Sequence, residues 1–471
     1  MTDTPTSLIQ KGSGLQVVIG LGGSGLSAAR YLCQEGYRVA VTDAHTQPPL
    51  AEALPLAVTT RCFGAIDADL LLQAERIVIS PGIALDTPAI RAAIEQGIPV
   101  VSDIQLFRDA CQAPIVAITG SNAKSTVTTL VGQMAADAGI NVGVGGNIGI
   151  PALDLLSNTD MELAVLELSS FQLETVSKLG AKVACVLNMS PDHLDRHGDM
   201  LSYHQAKHRI FQDAQSVVVN RDDALTRPLI ADTVPRLSIG TQAPDTDQYG
   251  LIVDADGQTH IARSTTRLLS ADDLPIKGQH NLLNAEAALA LGELAGIPLE
   301  SMLETLRHFE GLPHRCQFID SVNGVDYFND SKGTNIGSTM AAIIGLGAVY
   351  APKDGKLLVV LGGQGKGQEF DELAPLMNQY VSQVICIGED AALIEQHLHR
   401  GKLSGDVDVH QCPDLEHAFA CIARLTKSSL SQVQAVLLSP ACASFDQYSG
   451  YAARGEHFIN LVQHAAQASA H

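Results

Sequence analysis

Twice in the first 140 residues a short apolar run breaks into a small-residue turn and continues as a helical pattern, and this leaves few folds open. Residues 16–20 (QVVIG) enter the turn Gly20-Leu21-Gly22-Gly23-Ser24-Gly25, and a helix is expected to about Glu35. Residues 114–118 enter Thr119-Gly120-Ser121-Asn122-Ala123-Lys124-Ser125-Thr126, and a helix is expected to about Ala138. A strand passed so directly into a helix is the repeating unit of a parallel sheet.

The alternation continues. Strands are expected at 37–42, 76–80, 98–102, 163–170, 182–190 and 216–220, and again at 325–331, 356–363, 383–388 and 435–441. Helices fall at 284–296, 335–346, 414–425 and 454–467, and residues 240–265 read as a small β excursion. A length of 471 residues suggests about three domains. The expected class is α/β, with a Rossmann-like domain over 1–103, a central P-loop-type sheet over 104–311, and a Rossmann-like domain over 312–471.

A formal charge of −21 disfavours nucleic acid as a partner, because an acidic chain repels phosphate backbones. The nine cysteines show no C-x-x-C pair, which speaks against a zinc site or a disulfide framework and suits a cytoplasmic, reduced setting. Residues 1–15 lack a secretory pattern, and no apolar stretch is long enough for a membrane span.

Several motifs can carry chemistry. The turn Gly20-x-Gly22-x-x-Gly25, with Asp43 ending the next strand, suits a diphosphate at a helix N-terminus. On these residues alone NAD, another nucleotide and an empty tight turn all stay open. The second turn reads as a phosphate loop: successive N–H groups cradle phosphates, Lys124 neutralises them and Ser125 can ligate Mg²⁺. It departs from the strict Walker pattern, with Ile118 and Ala123 at the glycine positions. Glu167, Ser169 and Gln172, then Asp192, His193 and Asp195, follow strands of the same block, where ligands of open parallel sheets bind. In the last block His314-Arg315, Asp330 to Thr334, Gly362 to Lys366 and Ser444 to Asp446 gather cations and glycines near strand ends. Singly each reads as a solvated charge; together they suit phosphates and a small dicarboxylate. Lys207 alone reads as a surface helix residue.

Twelve segments in order give the chain a specific resemblance to the muramyl (Mur) ligases. They include GLGGSG at 20–25, SPGIAL at 80–85, TGSNAKST at 119–126, GGNIG at 145–149, LELSSFQLE at 166–174, PDHLDRH at 191–197, YHQAKHRIF at 203–211, GQHNLLNA at 278–285, GLPHR at 311–315, NDSKGTN at 329–335, GGQGKG at 362–367 and SPACASFDQ at 439–447. The resemblance is strongest to the D-glutamate-adding members. It implies ligation of D-glutamate to UDP-N-acetylmuramoyl-L-alanine through an acyl phosphate, with ATP and two Mg²⁺, in peptidoglycan synthesis, by a cytoplasmic monomer without nucleic-acid or membrane partners.

The resemblance also implies roles. Gly120 to Thr126, Asn281, Asn284, Arg315 and Asp330 would hold ATP. Ser24, Asp43, Gly82 and Asn147 would grip the UDP-sugar, so the first turn would take UDP and not NAD. Lys332, Thr334, Lys366, Ser444, Phe445 and Tyr451 would hold D-glutamate. Lys124, Glu167, His193 and Lys207 would be catalytic. Ser125, Glu167, His193 and a CO₂-derived carbamate on Lys207 would ligate metal. A lysine takes up CO₂ only when neutral, so Lys207 is expected to be partly buried. Ala123 replaces the family's usual glycine and is expected at negative φ, with ATP still bound. Ala44 lacks a hydroxyl that some members place beside the uracil. A folate polyglutamating ligase, an NAD dehydrogenase and a non-catalytic nucleotide-binding regulator are the rival readings.

Overall fold

The computed structural model describes residues 14–351, 355–426 and 432–469. The expectation about the N-terminal leader falls almost wholly on residues 1–13, outside the described residues, and the side chain of Asp195 is outside them too. Among the described residues the strands form four sheets.

The first sheet uses β1 (Leu15–Ile19), β2 (Arg38–Asp43), β3 (Thr60–Phe63), β4 (Arg76–Ile79) and β5 (Val100–Ser102) in the order β3-β2-β1-β4-β5, all parallel. The order reverses at β1, so the crevice past its C-terminal end is where such a sheet binds a ligand. There α1 (Gly23–Gln34) begins. A side chain at Gly25 would run into the Gly20 carbonyl oxygen, which explains the third glycine of the turn.

Helix α2 (Asp103–Ala110) leads into the second sheet. Its Ile104 and Phe107 enter a core that also takes Leu26 and Leu32 from the first block and Leu166 and Leu173 from the second. The second sheet contains β6 (Ile115–Thr119), β7 (Val142–Gly146), β8 (Leu163–Glu167), β9 (Val183–Val186), β10 (Val217–Asn220) and β11 (Arg236–Ile239). Its order is β11-β10-β9-β6-β8-β7, again parallel, so β6 lies inside with β9 and β8 on either side. Helix α3 (Lys124–Asp137) leaves β6 at this reversal. Helix α4 (Met200–His208) follows β9, and a three-stranded antiparallel sheet of β12 (Tyr249–Val253), β13 (Thr259–Arg263) and β14 (Thr266–Ser270) precedes α5 (Gln279–Ala295).

The last sheet uses β15 (Gln317–Val322), β16 (Val325–Asn329), β17 (Lys356–Gly362), β18 (Val381–Ile387), β19 (Asp408–Cys412) and β20 (Val433–Leu438) in the order β15-β16-β20-β17-β18-β19. Its other pairs are parallel, and β15 adds an antiparallel edge. Helix α6 (Ile336–Tyr350) follows β16, and α7 (Tyr451–Ser469) ends the described chain. No helix among the described residues is long and apolar enough to cross a membrane.

One core group sets a pH dependence. Glu286 on α5 is fully buried, and its Oε2 accepts the Gly240 N–H at 3.0 Å. Burial pushes its carboxyl up to about 8, against weaker opposite pulls from the Gly240 N–H and Arg221. The folded chain therefore keeps a proton that the unfolded chain loses near pH 4, and the group costs stability increasingly as pH rises from about 4 to 8. Glu286→Gln should gain on the parent across that window, by at most about 1.4 kcal/mol per pH unit. Urea unfolding of both proteins at pH 5 and pH 8 reads this out, and a constant difference would contradict it.

Candidate active site

The turn after β6 is tied to the segment that follows β9. Ser121 N–H donates to the Asn188 carbonyl at 2.9 Å, and Asn122 N–H donates to Asn188 Oδ1 at 2.8 Å. The Ser121 hydroxyl donates to the Ser190 carbonyl at 2.9 Å and lies 3.1 Å from the Tyr203 hydroxyl. Two N–H groups expected to cradle phosphate are therefore engaged within the protein. The N–H groups left for phosphate include those of the first turn of α3, residues 124–126, where a helix leaves its donors unsatisfied.

Ala123 overturns the expectation of negative φ. It sits at φ +65°, ψ −2°, the left-handed region, as the residue that caps α3. Asn122 is fixed by Asn188 on one side and the helix starts on the other, so the reversal falls on this residue. The conformation costs an L-residue about 1 kcal/mol. Its methyl packs against the core cluster of Val127 and Leu130, which offsets part of that cost. Ala123→Gly should leave stability within about 1 kcal/mol of the parent and on the higher side, as measured by the denaturation midpoint; a clear loss would mean the methyl contact outweighs the strain.

Lysines 124 and 207 approach the turn from two helices. Lys124 Nζ donates to the carbonyls of Gly120 and Ser121, both at 2.9 Å. Lys207, on α4, is not the surface residue its motif alone suggests: it is 2% exposed. Its Nζ donates to the Gly120 carbonyl at 2.8 Å and Thr119 Oγ1 at 3.3 Å, and lies 4.8 Å from the Tyr203 ring centre. Burial lowers both amines, and Lys124 pushes Lys207 down further, well below the ordinary lysine range.

Glu167 ends β8 and is buried. Its Oε1 accepts Asn147 Nδ2 at 2.7 Å, while its Oε2 is buried without a hydrogen-bond partner among the described residues. A buried, unpartnered carboxylate oxygen beside a phosphate loop fits a hard cation. Asn147, expected at the sugar, thus also orients Glu167. His193 sits at φ +54° with its ring edge-on to Phe171, centroids 4.9 Å apart. Burial lowers its imidazole below the ordinary range, opposed by Asp192 3.7 Å away. Among the described residues no three His, Cys, Asp or Glu side chains converge as metal ligands. The expected set differs in kind, drawing on a hydroxyl and a modified amine.

The last block reaches across to this loop. Arg315 Nη2 donates to Ser125 Oγ at 2.6 Å. Asn335 Nδ2 donates to Asn122 Oδ1 at 3.3 Å and Asp192 Oδ2 at 3.1 Å, and the Ser338 hydroxyl donates to Asn122 Oδ1 at 2.6 Å. Between the blocks lies a cavity of about 700 Å³. It brings together Ala123, Thr126, Asn281, Asn284, Arg315 and Asp330 from the expected nucleotide set. Asn284 donates to Asn281 Oδ1 at 3.1 Å. Asp330 is pushed up to about 7 by burial, although it accepts from Ser439 Oγ at 2.7 Å and the Cys316 N–H at 3.1 Å. Lys332 opens onto the same cavity, with Nζ 3.0 Å from the Tyr451 hydroxyl and 4.2 Å from its ring centre.

The other expected glutamate residues lie at neighbouring strand ends. Thr334 N–H donates to the Lys332 carbonyl at 2.9 Å, and backbone bonds between Gln364 and Ala443 hold the segment of Lys366 beside that of Ser444 and Phe445. Phe445 is 66% exposed. In the first block Ser24 opens α1, Asp43 ends β2, and Gly82 follows β4. Asp43 also braces the glycine turn from within, because its Oδ2 accepts the Leu21 N–H at 2.6 Å and its Oδ1 the His45 N–H at 2.8 Å. Sequence reasoning missed Asn188, Tyr203 and Ser338, three polar residues at a strand end or on a helix whose partners are far away in sequence.

Residues 15–102 match the Mur ligase MurD-like N-terminal domain, 118–292 the Mur ligase middle domain, and 314–442 the Mur ligase glutamate ligase domain. A UDP-N-acetylmuramoylalanine–D-glutamate ligase of Psychrobacter cryohalolentis is 72% identical over 97% of this chain and 97% of its own. The ligase of the same name from Acinetobacter baylyi is 57% identical over 97% of this chain and 99% of its own. The solved UDP-N-acetylmuramate–alanine ligase of Thermotoga maritima shares the fold, with a TM-score of 0.60 at 18% identity over 96% of this chain and 100% of that one. With three successive domain matches and relatives this similar along nearly its full length, the chain belongs to the Mur ligase family.

Proposed function

We propose that the chain joins D-glutamate to UDP-N-acetylmuramoyl-L-alanine with hydrolysis of ATP to ADP and phosphate, as a step of peptidoglycan synthesis. The observation that carries this reading is the 72% identity, over 97% of both chains, to a ligase named for those substrates. The convergence of Lys124, Glu167, Lys207 and Arg315 on one phosphate-loop region supports it. The reading assigns the UDP-sugar to residues 1–103, ATP to 104–311 and the amino acid to 312–471, in a cytoplasmic monomer acting on small molecules.

A carboxylate resists attack by an amine until one of its oxygens becomes a leaving group. In this reading the L-alanyl carboxylate oxygen attacks the γ-phosphorus of ATP and ADP departs. The D-glutamate amine then attacks the acyl carbon, and phosphate leaves the tetrahedral intermediate. Lys124 and Arg315 offset the charge of the two anions that must meet. Ser125, Glu167, His193 and Lys207 as its carbamate would hold Mg²⁺, which would supply further charge neutralisation when bound. Lys332, Thr334, Lys366, Ser444, Phe445 and Tyr451 hold the amino acid, and Ser24, Asp43, Gly82 and Asn147 the UDP-sugar. Holding three reactants in line contributes on the order of 7–11 kcal/mol.

Phosphate release measured with each substrate omitted in turn tests the reading. It should require ATP, UDP-N-acetylmuramoyl-L-alanine and D-glutamate together. Turnover with a folate and glutamate, or hydride transfer to NAD, would replace it with a rival.

A further inference from the structure

Helix α6 passes over the nucleotide cavity and meets the central block through glycines. A side chain at Gly337 would approach Ser190 Oγ to 2.8 Å and Asn122 Nδ2 to 3.2 Å. Two turns further on, a side chain at the buried Gly345 would approach His280 Cε1 to 2.6 Å and Nδ1 to 2.7 Å. His280 stands in the first turn of α5, beside Asn281, and lines the same cavity. Gly278 lies against the same ring edge: a side chain there would meet Cε1 at 3.0 Å, Nδ1 at 3.2 Å and the Gly345 Cα at 3.2 Å, so the two glycines also touch each other. Nδ1 is buried with no hydrogen-bond partner among the described residues, and burial pushes the imidazole down to about 4. An unpartnered buried nitrogen costs free energy. The ring acts here through its shape, as an uncharged group packed over the contact between glycines of two blocks.

We propose that His280 is a positioning residue: packed together with Gly278 against Gly345, its imidazole helps set how closely α6 lies over the nucleotide cavity. Helix α6 follows directly on the segment bearing Asp330 and Lys332, and its first turn bonds to Asn122 of the phosphate loop. The spacing at His280 thus fixes the far end of a helix whose near end touches the loop. This inference rests on the nucleotide reading of the cavity.

Titration of the full-length protein with Mg²⁺-ATP tests it. Gly345→Ala adds one methyl group in a helix interior, where alanine is favoured over glycine, so the helix itself should be no less stable. Touching residues couple strongly, and crowding against His280 should weaken ATP binding about tenfold, with a melting temperature lowered by only a few degrees and the protein fully folded at the assay temperature. In the His280→Ala background the same substitution should cost less than about threefold, because the obstacle is gone. An ATP affinity unchanged by Gly345→Ala, or an equal loss in both backgrounds, overturns the proposal. Failure of the parent protein to bind ATP at all would instead overturn the nucleotide reading beneath it.

Discussion

Lys207→Ala should abolish ligation, lowering kcat by at least about 10³-fold, and short carboxylic acids such as acetate should restore part of it. The amine is 2% exposed and is lowered by burial and by the neighbouring Lys124. Both effects favour the uncharged form, the form that attacks CO₂. In the proposed carbamate the new N–C bond would turn a buried would-be cation into a carboxylate-like anion and release one proton. Removing the side chain also takes from the Gly120 carbonyl one of its two donors, at 2.8 Å, while Lys124 stays at 2.9 Å. That structural loss is worth about 1 kcal/mol, and a soluble carboxylate cannot repair it. Rescue by acetate therefore separates a metal-holding role from a merely structural one. Steady turnover by the alanine variant would remove Lys207 from the chemistry.

Lys124→Ala should lower kcat/KM for ATP by about 10³-fold or more, and Lys124→Arg should recover little of it. Nζ serves two carbonyls of the turn, those of Gly120 and Ser121, while sitting next to Glu167 and Asp192. The alanine variant strands the Ser121 carbonyl, leaves the Gly120 carbonyl to Lys207 alone, and leaves the surplus of acidic groups unbalanced. A guanidinium carries the same charge on a wider plane, and the turn is already crossed by Lys207 and Arg315. Steady-state kinetics at saturating D-glutamate and UDP-sugar, with ATP varied, gives the number; a drop below tenfold would place the main phosphate cation elsewhere.

Regular stretches were legible because hydrophobic runs and glycine turns are local signals. Both strand–turn–helix units appear within a residue or two of their expected bounds. Strands β3, β7, β11, β15 and β19 were not expected from the sequence, and β14 falls just past the expected β excursion. β3 (TRCF) is a short, largely polar edge, and β7 (VGVGG) carries three glycines that depress strand propensity. β15 is joined to β16 through Asn323-Gly324, a hairpin signal readable in the sequence; both residues have positive φ, +52° and +81°. The strand expected over 163–170 stops at Glu167, because Ser169 and Gln172 form a capping box for the helix Ser170–Leu173. That S-x-x-Q spacing is also a local signal.

At the site, residue types were legible and their partners were not. Arg315 and Ser125 are 190 residues apart, and no local pattern encodes their contact. The sign of φ at Ala123 depends on Asn188 fixing the residue before it, which is likewise a tertiary fact.

The bond between Asn147 and Glu167 has a consequence for the cost of reorganisation. With Oε1 held by Asn147 at 2.7 Å, the carboxyl group is oriented before any ligand arrives, and its second oxygen is left unpartnered among the described residues. A cation arriving there meets a dipole aligned during folding, so no free energy is spent turning it during turnover.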